Sequence, residues 1–240
     1  MAQHISRKDL KKDEIRETLV HGVESIASHQ QLMWAVIGVA IVVAVAVFGW
    51  SSYTQRQTAK ASAQLDDAMK TFQAQVLVPG ETPAPDELTY SDEKNKFSDA
   101  EKKFLAVSGQ YGRTRPGEIA RYYAGLSEIK LKKFADAENN LKQMDSSGDP
   151  NLAALAKFQL AGVYDKEGKA SEAAQLYQQL ADKPTVFVPK ALALLTLADH
   201  YSKTDPAQAA KLYNQVKLEF PDAAQQAEQG LELLNTKPNG

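Results

Sequence analysis

The chain has 240 residues and carries 28 lysines and arginines against 30 aspartates and glutamates, which gives a formal net charge of −2 at pH 7. This balance argues against nucleic-acid binding, because contacts with phosphates need clustered positive charge, and no basic stripe with interleaved aromatic residues occurs. Cysteine is absent, which excludes disulfides, thiolate nucleophiles, zinc–thiolate sites and lipidation of an N-terminal cysteine.

Residues 1–31 form a polar segment of mixed charge. Ser6 followed by Asp9 resembles a helix N-cap with an acid in the first turn. Two interpretations stay open for this segment: an amphipathic helix on the inner membrane surface or against a cytosolic partner, and a solvated tail. The apolar residues that recur at helical spacing are Ile15, Leu19, Val23 and Ile26.

An uncharged, apolar run follows at residues 32–50. As a helix it would be about 28 Å long, close to the thickness of the hydrocarbon core of a bilayer. Trp34 lies near one end, and Trp50 and Tyr53 lie near the other, where an aromatic belt would place them. The run therefore predicts a transmembrane helix at 32–50.

Two alternatives to an anchor are a buried helix of a soluble core and a cleaved secretory signal. A helix that is apolar on every face needs complete burial. The segment ahead of the run and the run itself both exceed the corresponding parts of a signal peptide, and the cleavage-like triplet Ala61-Ser62-Ala63 lies well beyond Trp50. We therefore predict an uncleaved anchor.

The basic residues that flank the run set its predicted orientation, because lysine and arginine resist translocation. Their excess on the N-terminal side predicts a cytoplasmic N-terminus and a C-terminal part outside the cytoplasm. The basic residues ahead of the run are Arg7, Lys8, Lys11, Lys12 and Arg16, and those shortly after it are Arg56, Lys60 and Lys70.

A membrane-proximal helix and a proline-rich loop are predicted for residues 51–96. Residues 52–75 contain neither proline nor glycine and are rich in Ala, Gln, Lys and Asp, a composition that favours helix. Val78-Pro79-Gly80 and Pro83-Ala84-Pro85 then interrupt regular structure. We find no alternating pattern that would indicate a β-strand.

Helical segments repeat over residues 97–235. Residues 120–125 align with residues 156–161, and residues 134–138 with residues 170–174, both at an offset of 36. A period near this length, built of helix, turn and helix, is the tetratricopeptide signature. The predicted fold class is therefore all-α, with an N-terminal transmembrane helix followed by a tetratricopeptide-repeat-like α-solenoid.

The residue types fit closely packed helix pairs. Small side chains are expected where two antiparallel helices approach closest, and Tyr177 and Tyr213 supply bulk between repeats. Gly168 suits a turn between paired helices, as does Asp205-Pro206. The small residues at the predicted close approaches are Ala137, Ala161, Ala173, Ala198 and Ala209.

Further elements are predicted at both ends of the array. Ala100 and Phe104 match the second helix of a degenerate first unit, whose partner would be the helix near residues 52–75. At the other end, residues 222–234 are typical of a solvent-facing capping helix. Residues 236–240 are predicted to be a disordered tail.

We find no catalytic constellation. His4, His21 and His29 precede the apolar run, and His200 lies alone in a repeat helix. Neither a zinc-protease motif, nor a Walker loop, nor a nucleophile elbow, nor a dinucleotide-binding glycine pattern occurs. The sequence predicts a non-enzyme without catalytic, cofactor-binding or metal-binding residues.

The repeats instead offer a surface for a protein partner. In stacked helix pairs the first helices line the concave side of a superhelix, and the register places a largely apolar and aromatic groove there. The alternative is that several of these side chains are core contacts, and the oligomeric state stays open. The candidate groove residues are Tyr122, Leu126, Ile129, Lys130, Phe158, Asp165, Lys166, Leu192, Leu195, Asp199 and Ser202.

The layout resembles a known family. The apolar run ends at Phe48-Gly49-Trp50, a helix rich in Gln, Ala and Ser follows, and tetratricopeptide-like repeats occupy the C-terminal part. Over most of residues 32–235 the chain is thus similar to the bacterial ancillary subunit of the SecYEG translocon. The resemblance implies a single-pass inner-membrane protein with a periplasmic repeat domain, whose partners are the translocon and a membrane-anchored periplasmic chaperone. The segment ahead of the run is longer here than in typical members.

The leading hypothesis is a membrane-anchored, non-catalytic scaffold that assists protein translocation or envelope chaperone networks next to the Sec translocon. An alternative is a tetratricopeptide-repeat adaptor that coordinates cell-wall synthesis or cell division. A further alternative is a regulatory subunit of a membrane enzyme complex, acting through the N-terminal segment.

Overall fold

A computed structural model describes residues 30–236, except 79, 81, 83, 84 and 86. The apolar stripe predicted within residues 1–31 and most of the predicted tail lie outside the described residues. The chain divides into two compact units, Met1–Arg56 and Gln57–Gly240, and each is considered by itself.

The described residues are mostly α-helical, as the repeat pattern predicts. Two short 3-10 helices, Gln143–Ser146 and Pro221–Ala223, interrupt the series. The α-helices are α1 (Gln30–Gln73), α2 (Glu93–Tyr111), α3 (Arg115–Lys130), α4 (Phe134–Lys142), α5 (Pro150–Lys166), α6 (Ala170–Asp182), α7 (Lys190–Tyr201), α8 (Pro206–Glu219) and α9 (Ala224–Thr236).

The first unit, as far as it is described, is the N-terminal part of α1. The helical stretch Met33–Gln73 contains an 18-residue window of mean hydropathy 2.4, and none of that window is buried. The side chains of Trp34, Phe48 and Trp50 are 64%, 76% and 71% exposed. This exposure contradicts a buried helix of a soluble core, which would hide its apolar faces. The length and composition suit a membrane span, but a signal sequence shares both, so the uncleaved anchor stays a prediction.

The second unit is a succession of helix pairs, in which each helix packs against the next in the chain. The pairs are α3 with α4, α5 with α6, and α7 with α8, while residues 57–73 of α1 pack against α2 and α9 packs against α8. Two aspartates cap the N-termini of their helices. Asp149 accepts hydrogen bonds from the backbone of the first turn of α5, and Asp205 accepts one from the first turn of α8. Pro150 and Pro206 follow them at a position that needs no N–H donor.

The small residues lie where the sequence predicts them. Ala137, Ala161, Ala173, Ala198 and Ala209 are all fully buried, and Tyr177 and Tyr213 are each 3% exposed. Gly125 takes the place of Ala161 in the preceding pair, and there even a Cβ atom would lie 3.0 Å from two carbons of Leu141. Close helix contacts therefore repeat along the array, as its alanine pattern indicates.

The turns inside two pairs share one backbone geometry. Gly168 has φ +75°, as its predicted turn position requires. Lys132, which lies 36 residues earlier in the chain, has φ +60° and is the only residue other than glycine with positive φ among the described residues. The first of these turns thus keeps a left-handed residue without the glycine that would favour it.

A short β-structure corrects the expectation of a plain loop between the first two helices. Strands β1 (Gln75–Val76) and β2 (Thr89–Tyr90) pair in parallel, with Gln75 opposite Thr89 and Val76 opposite Tyr90. The backbone N–H of Leu77 donates to the carbonyl of Tyr90 at 3.0 Å. Two-residue strands are too short to produce an alternating sequence pattern, which explains why the sequence does not reveal them.

The interior of the second unit consists of two clusters. In the first, Phe72 meets Phe97, Phe104 and Tyr123 with ring centroids 5.3–5.9 Å apart, and Ala100 is fully buried beside them. The second cluster is continuous from α3 to α9. Such rows of buried side chains are what allows helix pairs, each with one apolar face, to form a common core.

Candidate functional site

Two of the predicted groove residues are carboxylates held by the second helix of their own pair. The Tyr177 hydroxyl of α6 donates to Asp165 Oδ2 of α5 at 3.2 Å, and the Tyr213 hydroxyl of α8 donates to Asp199 of α7. Burial, and then the neighbouring carboxylate, raises the pKa of both tyrosines. Both hydroxyls therefore stay protonated donors at neutral pH, and they fix the positions of Asp165 and Asp199.

Lysines bridge successive helix pairs by covering aromatic rings. Lys130 Nζ at the end of α3 lies 5.8 Å from the ring centroid of Phe97 in α2. Lys166 Nζ at the end of α5 lies 5.7 Å from the ring centroid of Phe134 in α4. The two contacts are the same contact displaced by one repeat, and each has the geometry of a cation–π interaction.

A second set of lysines connects the same helix pairs through ion pairs. We call the contact between two successive pairs a junction, and number the junctions in chain order. Lys133 Nζ lies 2.7 Å from Glu101 Oε2, and Lys169 Nζ lies 2.8 Å from Glu138 Oε2. Hydrogen bonds from Lys142 and Lys169 lower the pKa of Glu138 to about 2. Each of the first two junctions thus contains one cation–π contact of a lysine with a phenylalanine ring and one ion pair of a lysine with a glutamate.

The third junction, between the pairs α5–α6 and α7–α8, lacks both the cation–π contact and the ion pair among the described residues. Leu160, Ala161 and Tyr164 of α5 recur in α7 as Leu197, Ala198 and Tyr201 at an offset of 37, which leads from Lys166 to Lys203. For the second helices the offset is 36, which leads from Phe134 to Ala170, and from Lys169 and Glu138 to Asp205 and Ala174. Lys203 thus has no ring at position 170 to cover, and Asp205 and Ala174 cannot form the ion pair. A pocket of about 270 Å³ opens there, lined by Asp165, Ala170, Thr196, Asp199, His200, Lys203 and Thr204.

His200 occupies this third junction in a fixed orientation. Its Nδ1 lies 2.6 Å from Asp165 Oδ1, and its side chain is only 6% exposed. The ring also lies 5.2 Å from that of Tyr201 and 6.3 Å from that of Tyr177. Because a carboxylate only accepts, Nδ1 carries a proton in this contact, and Nε2 has no hydrogen-bond partner among the described residues.

A larger and more apolar pocket lies against the other part of α7. Its volume is about 450 Å³, and it shares Thr196 and Asp199 with the pocket at the third junction. Leu192 is 39% exposed at its surface. The residues that line it are Pro189, Ala191, Leu192, Leu195, Thr196, Asp199, Ala223 and Gln226.

The structure gathers part of the predicted groove on α7. Leu192, Leu195 and Asp199 line the apolar pocket, and Asp165 joins Asp199 at the third junction. The Ser202 hydroxyl donates to the backbone carbonyl of Asp199 at 2.7 Å, so it supports the end of α7.

The other predicted groove residues contact neighbouring helices. Tyr122 is 8% exposed in the core, and Leu126 and Ile129 are half-buried against it. The half-buried ring of Phe158 lies 5.8 Å from that of Tyr177. Together with Lys130 and Lys166, which cover rings of the preceding pair, these residues lie outside both α7 pockets.

His200 is the site residue that sequence reasoning does not identify. It belongs to no motif, and its partner Asp165 lies 35 residues away. One signal was available, namely the replacement of the repeated phenylalanine, lysine and glutamate by Ala170, Asp205 and Ala174. Within the described part of the chain, no group of three or more His, Asp or Glu side chains has a metal-binding arrangement.

Comparison with known proteins identifies the repeats. The family model of the tetratricopeptide repeat-like domain matches residues 28–194. No curated protein and no solved structure matches the chain. The match ends within α7, so Asp165 lies inside it and His200 lies beyond it.

Proposed function

Because the chain belongs to the family of tetratricopeptide repeat-like domains, we propose that it is a membrane-anchored, non-catalytic scaffold that binds other proteins of the bacterial envelope. Domains of this family typically act as interaction modules without catalysis. The observation that carries the proposal is the open apolar pocket on α7. Leu192 and Leu195 line about 450 Å³ of accessible space there, on the first helix of a pair, where solenoids present their binding surface.

The anchoring part of the proposal is supported by α1. Its N-terminal part exposes large apolar side chains on all faces over the length that a bilayer requires. Water would penalise that surface by roughly 25 cal/mol for each Å², whereas lipid would not. The excess of basic residues ahead of the run supports a cytoplasmic N-terminus and a repeat unit on the periplasmic side.

The location that we propose is beside the Sec translocon of the inner membrane, with a membrane-anchored periplasmic chaperone as a further partner. The support is the resemblance in layout over residues 32–235. Anchoring in the same membrane would raise the effective concentration of the repeats near their partners. Weak binding by a shallow pocket would then suffice.

The test is affinity purification of the full chain from gently solubilised membranes, with the wild type beside a Leu192→Asp/Leu195→Asp variant. We expect the wild type to recover translocon or chaperone components, and the variant to lose them, because a charge in the apolar pocket has no partner. Leu218→Asp is the matched control, since Leu218 on α8 is 82% exposed and lines neither α7 pocket.

Two outcomes would contradict the proposal. Recovery of wall-synthesis or division proteins would replace the translocon by the alternative adaptor role. Equal recovery of partners by the wild type and the α7 variant would show that the pocket on α7 does not bind them.

A further inference from the structure

The pocket at the third junction is the place where the repeat pattern of the chain is broken. The first two junctions are closed by a lysine on a ring and a lysine on a glutamate. At the third, the ring position is Ala170, the glutamate position is Ala174, and Lys203 at the position of the ring-covering lysine has no ring to cover. A pocket of about 270 Å³ therefore lies where the other junctions have these contacts.

The groups around this space are acceptors of hydrogen bonds. Asp165 accepts from Tyr177 and from His200, and Nε2 of the His200 ring has no partner among the described residues. Asp199 Oδ1 accepts from Tyr213, and no hydrogen bond reaches its Oδ2 within the described part of the chain. The ligand that such a set selects is a donor of hydrogen bonds.

The charges around the pocket favour a cation. Asp165 and Asp199 are the two carboxylates that line it, and no described lysine or arginine forms an ion pair with either of them. Besides His200, Lys203 is the basic residue of the lining. Its side chain is exposed at the C-terminal end of α7, where a flexible ammonium group stays in water. Asp199 is therefore the carboxylate that is available to a cation in the pocket.

The pocket at the third junction continues into the apolar pocket along one face of α7. Leu192, Leu195 and Asp199 are spaced by three and four residues, the spacing of neighbours on a helix face. From Leu192 to Asp199 the helix rises by about 10 Å, since each residue adds about 1.5 Å. An extended peptide covers that distance with about three residues.

We propose that the pocket at the third junction receives the basic side chain of a partner peptide, while an apolar side chain about three residues away enters the pocket at Leu192 and Leu195. The inference rests on the proposed function, which it refines by naming the chemistry of the bound segment. Arginine is favoured over lysine, because its planar guanidinium presents several donors at once to the carboxylate of Asp199.

The test uses the full-length chain in detergent and an array of synthetic twelve-residue peptides. The peptides contain one leucine and one arginine at spacings from one to six residues in a Gly/Ser background, with the arginine replaced by lysine, citrulline or glutamate in matched sets. We expect the strongest binding near a spacing of three, with arginine ahead of lysine and with citrulline and glutamate at background. Fluorescence anisotropy on the best peptide then gives the affinity of each protein variant.

Two variants identify the pocket. Asp199→Asn should weaken binding of the best peptide by about tenfold or more, as expected for the loss of a charge-assisted hydrogen bond. Glu172→Gln on α6 removes the same charge from an exposed side chain outside the pocket and should leave the affinity unchanged. Added salt should weaken binding to the wild type.

The variant Ala170→Phe tests whether misfolding explains a loss of binding. It restores the ring that a lysine covers at the other two junctions, with Lys203 at the lysine position, so it should abolish binding while the thermal midpoint is kept or raised. Equal binding of arginine and glutamate peptides, or undiminished binding by this variant, would overturn the inference. If the full chain still recovers membrane partners in that case, the inference alone fails; if it recovers none and no peptide binds, the proposed function fails with it.

Discussion

The amide of Asn140 on α4 donates to both carboxylate oxygens of Glu128 on α3, at 2.8 and 3.0 Å, and Glu128 is only 2% exposed. Burial raises the pKa of Glu128 to about 7, with the carboxylates of Glu101 and Asp136 adding to the effect, while Asn140 opposes it. The pair thus places a group that titrates near neutral pH inside the packed repeats.

Glu128→Gln should make the protein more stable at pH 8 and leave its stability almost unchanged at pH 4.5. The folded state binds the Glu128 proton more tightly than the unfolded state, so this contribution to stability is full below about pH 4.5 and is lost as the pH rises through about 7. Above that pH the buried carboxylate costs on the order of 1–3 kcal/mol, which glutamine avoids. Unfolding by denaturant at both pH values measures this, and an equal difference at both would contradict it.

Glu138→Gln should have the opposite pH dependence. The pKa of Glu138 is lowered to about 2, first by its hydrogen bond with Lys142 and then by that with Lys169. Its contribution is therefore present above about pH 4.5 and is lost as the pH falls towards 2. We expect a lower thermal midpoint than the wild type at pH 7, converging with it in acid. A lower midpoint that persists unchanged at pH 2 would show that charge is not the cause.

The left-handed turns provide a reciprocal pair of changes. Lys132→Gly should stabilise the second unit by about 0.5–1 kcal/mol, because glycine adopts φ +60° without the steric cost that lysine bears. Gly168→Ala should destabilise it by about 1 kcal/mol. Nothing lies within 4 Å of a Cβ at Gly168, so the effect would come from the backbone alone. Denaturant midpoints of both variants measure the two effects, and changes of the same sign would contradict the assignment.

These contacts show which parts of the molecule a sequence can predict. The fully buried Ala137, Ala173 and Ala209 were predictable, because the spacing of apolar residues along a helix directly reflects which face is covered. The roles of Lys130 and Lys166 were not. Their position opposite a ring depends on how one helix pair is stacked on the next, which no local pattern encodes.

The candidate site was predicted only in part for the same reason. Leu192, Leu195 and Asp199 share one face of α7, so helical spacing alone brings them together. Asp165 and His200 come from different pairs, and their contact depends on the stacking of α7 against α5. Tyr122 is apolar enough for a groove and for a core, and only the packing distinguishes the two.

Gly230→Ala should loosen the docking of α9 onto α8. A Cβ at Gly230 would lie 2.4 Å from two ring carbons of Tyr213. That ring cannot swing aside freely, because its hydroxyl is hydrogen-bonded to Asp199. Overpacking of this kind costs about 1–3 kcal/mol. Gly109→Ala is the control, since nothing lies within 4 Å of its Cβ and alanine favours helix.

Limited proteolysis would locate the effect of Gly230→Ala. We expect earlier cleavage near the C-terminus in the variant than in the wild type, with the rest of the repeats resistant. If Gly109→Ala weakened the protein as much as Gly230→Ala, the contact with Tyr213 would not be the cause.

The proposed anchor predicts how the chain behaves in membranes. The intact protein should stay in the membrane fraction after alkaline carbonate washing, because the 18-residue apolar window of α1, none of it buried in the protein, would lie in lipid. Val43→Lys/Val45→Lys should release it, since each lysine near the centre of a span costs about 2.5–3.5 kcal/mol. Gln55→Lys adds a positive charge beyond the run and should leave the protein in the membrane. Intact-mass spectrometry distinguishes the anchor from a cleaved signal, because cleavage after Ala63 would remove the whole apolar run. A mature mass that lacks those residues would contradict the anchor.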